Sequence, residues 1–231
     1  MLLLCVDTAT PQVGVAIGSD EHVIGRVQLT RPQHHAEHLA PAIQYLCEQL
    51  DLSLDQLSGI GIGIGPGLYT GLRVGVTTAK VMAQALRIPL IAVPSLDLLA
   101  FEVRYTDRLV VPTFDARRGE VFYAAYRQVP GGVQRLSEYE VGTPDDLCAE
   151  LMAKGEEVLL LGDGALRYRD RFFDLERVEF GPPSLCYPSV SALVELARAK
   201  FQREDFCQPR QVHPLYLRVS DAEMNWAHQS R

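Results

Sequence analysis

Two α/β domains with mixed sheets follow from three features of the chain: strands precede alternating helices and strands, that order occurs twice, and an aspartate ends the first strand of each occurrence, at Asp7 and Asp115. Each aspartate is followed six positions later by a valine near the start of the next strand, Val13 and Val121. The halves therefore read as duplicated units of residues 1–103 and 104–231, divided near Phe101 to Asp107. The C-terminal segment has the length to pack back on the first unit.

The opening run Leu2-Leu3-Leu4-Cys5-Val6 is continuously apolar, the pattern of a buried strand, and it ends at Asp7. Thr8-Ala9-Thr10-Pro11-Gln12 is a turn into an antiparallel partner, Val13-Gly14-Val15-Ala16-Ile17. Val23 to Leu29 makes a third strand. Leu39, Ile43, Leu46 and Leu50 then recur at spacings of four and three, which is helical. Ile60-Gly61-Ile62-Gly63-Ile64 is the next strand, the glycine-rich turn Gly65-Pro66-Gly67 follows, and a second helix runs from about Leu72 to Leu86. The strand Leu90-Ile91-Ala92-Val93 and a helix from near Ser95 close this half. In the second half Leu109 to Phe114, Val121 onward and Val133 to Val141 are strands. Thr143-Pro144-Asp145-Asp146 opens a helix with proline in its first turn. The strand Val158 to Leu161 and a helix carrying Val190, Leu193, Val194, Ala197 and Phe201 complete the order.

With 231 residues, 47% of them hydrophobic, 22% charged and a net charge of -7, the chain has the material for a large core and is not a disordered or fibrous protein. No apolar run approaches the roughly 20 residues of a spanning helix, and the N-terminus does not read as a secretory signal, so no membrane association is expected. The five cysteines are odd in number and scattered, which predicts reduced, structural thiols and a cytoplasmic location. The acidic balance argues against a surface built to grip a phosphate backbone.

Four stretches carry candidate chemistry. In Gly61 to Gly75 the glycines at 65, 67 and 71, with Thr70, lead into a helix N-terminus, where free N–H groups favour an anion. A tight strand-to-helix turn packed against the other domain explains the same glycines. This is not a P-loop, since no Gly-Lys-Ser/Thr triplet follows. Asp7, Thr8 and Thr10 place a carboxylate and two hydroxyls at the C-terminal end of a strand, where α/β sheets hold ligands; Asp7 either binds a metal–nucleotide or caps nearby backbone N–H groups as an Asx turn. His34 and His38 lie four apart, as zinc-binding histidines do, but the glutamate of the zincin order is displaced to Glu37 and no third ligand follows at a recognisable spacing, so no metal site is assigned. Asp115-Ala116-Arg117-Arg118-Gly119-Glu120 brackets two arginines with acids, suiting interdomain ion pairs or an acidic ligand of a partner.

Together, Asp7-Thr8-Ala9-Thr10, Glu37-His38-Leu39, the block Gly65 to Gly75, Asp115-Ala116-Arg117-Arg118-Gly119-Glu120-Val121-Phe122 and Pro214-Leu215-Tyr216-Leu217-Arg218 resemble the TsaB (YeaZ) family across the whole chain. The resemblance implies the duplicated actin/Hsp70-like (ASKHA, ribonuclease H-like) fold with two mixed five-stranded sheets. It also implies a non-catalytic scaffold and activator of TsaD in threonylcarbamoyladenosine (t6A) modification of the adenosine 3′ of the anticodon in ANN-decoding tRNAs. The implied partners are TsaD and TsaE, which the chain would bridge, with tRNA reached indirectly through the complex and a homodimer when the chain is alone. No tightly bound cofactor is implied, and ADP or ATP with Mg enters only in the complex with TsaD and TsaE; Asp7, Thr8, Thr10, Gly65, Gly67, Thr70, Gly71 and Asp115 are the candidates for either a nucleotide or anion site or an interdomain cleft. The related transferase TsaD carries a His-x-x-x-His metal pair just beyond the strand that follows its glycine block, and Ser95 and Leu99 stand in those places here. The first two helices are expected to form a four-helix interface with TsaD through Leu39, Ile43, Val76, Ala79, Met82 and Ala83. The competing readings are an ASKHA-type small-molecule kinase and an M22-type metalloprotease-like protein.

Overall fold

The computed structural model describes residues 1–31 and 34–218. Its first sheet contains β1 (Leu3–Asp7), β2 (Gln12–Gly18), β3 (Val23–Thr30), β4 (Gly59–Gly63) and β5 (Leu90–Val93), in the order β3-β2-β1-β4-β5. The first three form an antiparallel meander, while β4 and β5 run parallel to β1. Parallel neighbours need crossovers, and the helices α1 (His35–Gln49) and α2 (Tyr69–Leu86) supply them. Both lie on one face, where Val13, Val15 and Ile17 of β2 meet Leu39, Ile43 and Val76 in a single core.

The second sheet contains β6 (Leu109–Arg117), β7 (Glu120–Tyr123), β8 (Tyr126–Val129), β9 (Gly132–Arg135), β10 (Glu140–Gly142), β11 (Val158–Leu161) and β12 (Val178–Phe180). The main path is β10-β7-β6-β11-β12, with β8 paired to β6 and β9. Seven strands thus stand where five were expected, and the register shows why. Tyr123 pairs with Thr113 and Tyr126 with Val110, one unbroken antiparallel register against β6, so β7 and β8 are a single ladder position interrupted at Ala124-Ala125. The strand expected over Val133 to Val141 is likewise split, into β9 and β10. Counted by position, both sheets have the same five-rung order.

The helices follow the same repeat. The α4 helix (Pro144–Lys154) follows the third rung of the second sheet, and Thr143 caps it by accepting the Asp146 N–H in a reciprocal capping box. The short α5 (Asp163–Arg167) follows β11. The last helix of each repeat, α3 (Ser95–Glu102) and α6 (Val190–Gln202), reaches across to the other sheet. Leu96, Leu99 and Ala100 of α3 join Val110, Phe114 and Tyr126 of the second sheet. Val190, Leu193, Val194 and Ala197 of α6 cover the first sheet beside Leu3, Cys5 and Ala16. Burial pushes the Cys5 thiol up to about 12, which keeps it protonated and inert. All five cysteines are free, and no described helix is long and apolar enough to cross a membrane.

Candidate functional site

The end of β1, the N-terminus of α2 and the N-terminus of α3 meet at Asp7. Its side chain is buried, with one carboxylate oxygen accepting the Ser95 hydroxyl at 2.6 Å and the other accepting the Ala9 N–H at 3.0 Å. Burial raises the Asp7 carboxyl above the ordinary range, opposed by those two hydrogen bonds and by the nearby His35. Ser95 in turn accepts the Gly65 N–H at 3.1 Å and donates its own backbone N–H to the Gly65 carbonyl at 2.7 Å. The carboxylate is therefore clasped between the first strand, the glycine turn and α3, with both oxygens engaged by the protein.

The glycine block fits around the turn that follows Asp7. Gly67, Gly71 and Gly75 are four residues apart and make one stripe along α2 and its entry. A β-carbon on Gly67 would strike the Ala9 carbonyl, one on Gly71 the Thr8 carbonyl, and one on Gly75 the Thr8 hydroxyl. Their role here is close approach, while Gly65 alone among them uses a left-handed backbone, at φ 95°. The Thr8 hydroxyl donates to the Gly71 carbonyl at 2.7 Å, and the Leu68 N–H to the Ala9 carbonyl at 2.7 Å. The segment packed against the turn comes from the same sheet, not from the second half of the chain. Thr70 points elsewhere, to a groove on the outer side of α1 and α2.

Two residues that sequence reasoning left outside the site complete it. In the sequence Ser95 begins a helix and stands in the place of a TsaD metal-binding histidine, and neither feature points to Asp7 as its partner. His35 stands directly after His34, where the zincin order has its glutamate. Its ring is buried, with Nε2 at 2.7 Å from the Thr10 carbonyl, so Nε2 carries the proton and ties α1 to the turn. His34 and His38 lie on one helix face with ring centroids 6.1 Å apart, and His34 Nδ1 is 2.9 Å from a Glu37 carboxylate oxygen. Among the described residues no group of three or more His, Cys, Asp or Glu side chains is placed to hold a metal ion.

Asp115 belongs to a second cluster, at the matching point of the other sheet. It accepts the Arg117 N–H at 3.0 Å and the Tyr168 hydroxyl at 3.3 Å, and pairs with the guanidinium groups of Arg117 at 3.1 Å and Arg167 at 3.5 Å. The Asp115 N–H donates to Asp163 at 3.0 Å. Burial raises the Asp163 carboxyl to about 6, with the Asp115 charge adding to it. Asp7 and Asp115 are thus equivalent by position and different in surroundings, the first among hydroxyls and backbone, the second among arginines.

Of the six residues expected to face a partner, Leu39, Ile43, Val76, Ala79 and Ala83 are buried in the protein's own core between the helices and the first sheet, and Met82 alone stays part-exposed. The apolar periodicity that singled them out marks chiefly the inward face of each helix, and Leu39, Ile43 and Met82 also reach the outer side. The outward faces form a groove in two connected stretches of 490 and 740 Å³ that share Ala40 and Thr78. Tyr69 and Arg73 stand at one end, Cys47, Leu54 and Met82 at the other. Tyr45 and Val81, on the same two helices, are 54% and 60% exposed.

A family model described as TsaD, tRNA N6-adenosine threonylcarbamoyltransferase, matches residues 28–226. The tRNA threonylcarbamoyladenosine biosynthesis protein TsaB of Bacillus subtilis is 32% identical over 98% of this chain and 98% of its own. The protein of the same name from Escherichia coli is 26% identical over 94% of this chain and 95% of its own. Among solved structures, YeaZ from Pseudomonas aeruginosa superposes with a TM-score of 0.81 at 27% identity, covering 94% of this chain and 99% of its own.

Proposed function

Because this chain belongs to the TsaB (YeaZ) family, whose members act in tRNA threonylcarbamoyladenosine biosynthesis alongside TsaD, we propose that it is a non-catalytic scaffold and activator of TsaD. The observation that carries this reading is the groove along the outer faces of α1 and α2. It is wide, largely apolar and floored by small residues such as Ala40 and Thr78, so a second pair of helices would approach closely enough to interdigitate. The partner that fits is the equivalent helix pair of TsaD. The same surface on a second copy of this chain would close a two-fold dimer when TsaD is absent.

The Asp7 clasp supports a structural role for this carboxylate. Each of its oxygens accepts one hydrogen bond, from Ser95 and from Ala9, and together they tie the end of β1 to α3 and to the turn. Ser95 and Leu99 occupy the places of the metal-binding histidines of the transferase, and Leu99 is fully buried. In this reading TsaE joins through TsaD and this chain together, ADP or ATP with Mg binds only in that complex, and tRNA is held mainly by the partners.

The test is reconstitution of tRNA modification from TsaD, TsaE and a TsaC-type enzyme, with and without this chain, together with size-exclusion of the chain mixed with TsaD. Modification that depends on the chain, and co-elution of the pair, are the expected results. Ala40→Glu and Thr78→Glu, which put charge into the groove without entering the core, should abolish co-elution and modification while thermal unfolding stays at the wild-type midpoint. Full modification by both variants, or by a mixture lacking the chain, would overturn the proposal.

A further inference from the structure

The face of the first sheet that carries α6 is lined with very small residues where the helix lies, Gly14, Ala16 and Gly18 of β2, and turns polar beyond the helix start. Gln12, Arg26, Gln28 and Thr30 share this face by register, since Ala16 pairs with Arg26, Gly14 with Gln28 and Gln12 with Thr30. They form a ladder. The Gln28 amide donates to the Gln12 side-chain oxygen at 2.7 Å and to the Pro188 carbonyl at 3.4 Å, the Gln12 amide donates to the Thr30 hydroxyl at 3.4 Å, and one Arg26 nitrogen donates to the Ser191 hydroxyl at 2.9 Å. Opposite stand Glu102 at the end of α3 and the segment Pro183 to Ser189. Between them lies a pocket of 460 Å³, within the range of roughly 300–1,000 Å³ that small-molecule sites occupy.

Two opposite charges line this pocket without touching. Glu102 is half-buried, and one of its oxygens accepts the Ser189 N–H at 2.6 Å. Burial pushes its carboxyl up, while the Ser189 hydrogen bond and the Arg26 guanidinium draw it down, so Glu102 and Arg26 sense each other across the space. Among the described residues they form no direct ion pair. Arg26 keeps guanidinium N–H groups beyond the one given to Ser191, and Glu102 keeps a second oxygen. An exposed guanidinium and a half-buried carboxylate that line one pocket without pairing leave room for a molecule that carries both opposite charges on groups bonded to one carbon. The remaining walls, Pro183, Ser184, Cys186 and Tyr187, offer rings, hydroxyls, a thiol and no further charge.

We propose that this pocket is a binding site for a small neutral α-amino acid in its zwitterionic form, with the carboxylate on Arg26 and the ammonium on Glu102. It is separate from the Asp7 clasp and from the α1–α2 groove, and it stands whether or not the scaffold reading holds.

The experiment is saturation-transfer NMR on the full chain with glycine, L-alanine and L-serine as probes. N-acetyl-L-alanine lacks the ammonium, L-alaninamide lacks the carboxylate and inorganic phosphate tests for a simple anion site. Transfer to the free amino acids is expected, with each blocked analogue at least about tenfold weaker, because each leaves one charged partner unpaired. Arg26→Gln and Glu102→Gln should each weaken L-alanine binding by about tenfold or more while the folded protein keeps its melting midpoint. The analogue series uses the wild-type chain and so does not depend on either variant folding. No transfer to any amino acid, equal affinity for free and blocked forms, or binding of phosphate alone would overturn the assignment.

Discussion

Asp163 shows how a single residue couples this fold to pH. Its carboxyl is buried beside Asp115, and burial holds it up at about 6, above the roughly 3.9 of an exposed aspartate. The folded state therefore binds this proton more tightly than the unfolded chain. The resulting stabilisation is complete below the unfolded value and is lost as pH rises through about 6. Asp163→Asn keeps an oxygen for the Asp115 N–H and never ionises, so it should exceed the wild type by about 1–3 kcal/mol near neutral pH. Denaturant titrations repeated at about pH 4 should show that advantage shrinking toward zero; an advantage constant with pH would remove burial of the charge as its cause. Nothing in the sequence marked Asp163, because its burial comes from β6 and α5 meeting across 48 residues of chain. Asp7 and Asp115 were legible, since each ends an apolar run. Their contrasting partners were not, since Ser95, Arg167 and Tyr168 reach them only through the fold.

At the scale of elements, periodicity placed most helices and strands within a few residues, and its failures are informative. The apolar stripe of α1 and α2 packs on the protein's own sheet through Val76, Ala79 and Ala83, while Leu39, Ile43 and Met82 also line the outer groove. An apolar stripe says that something covers it, and here the covering surface is the protein's own sheet. The break between β7 and β8 was illegible because Ala124 and Ala125 keep the register of β6 while leaving the ladder. Helix α6 docks through a fit no pattern reveals: Gly18 has no side chain because Val194 fills its place. Gly18→Ala should cost about 1–3 kcal/mol by overpacking against a stiff β-branched neighbour. Val194→Ala should recover part of that loss in the double variant, and a double-mutant cycle by chemical denaturation reads the coupling. Additive losses would show that the contact is not the reason for the glycine.

For the whole molecule, the exchange of α3 and α6 between the sheets makes the two repeats interdependent. The α3 helix also ties itself to the second sheet through Asp97, which accepts the hydroxyls of Tyr126 and Tyr139, each at 2.7 Å. Beyond α6, the Leu215 N–H donates to the Ile64 carbonyl at 2.7 Å, and Arg218 pairs with Glu120 at 2.7 Å, so the chain returns to both sheets. A chain ending before Val190 would uncover Leu3, Cys5 and Ala16, and it should bind a hydrophobic dye and lose cooperative unfolding even though every strand of both sheets is present. A cooperative melt in that truncation would show the sheets to be independent. The sequence by itself determined the duplicated order of strands and helices, the aspartate at the end of each leading strand and the family, because these depend on residue type and local spacing. Only the tertiary structure decided that the glycines receive the Thr8–Ala9 turn, which side of α1 and α2 is open to a partner, and that Arg26 and Glu102 face one pocket. Each of these depends on surfaces brought together from distant parts of the chain, and a one-dimensional pattern records that a side chain must be covered without recording by what.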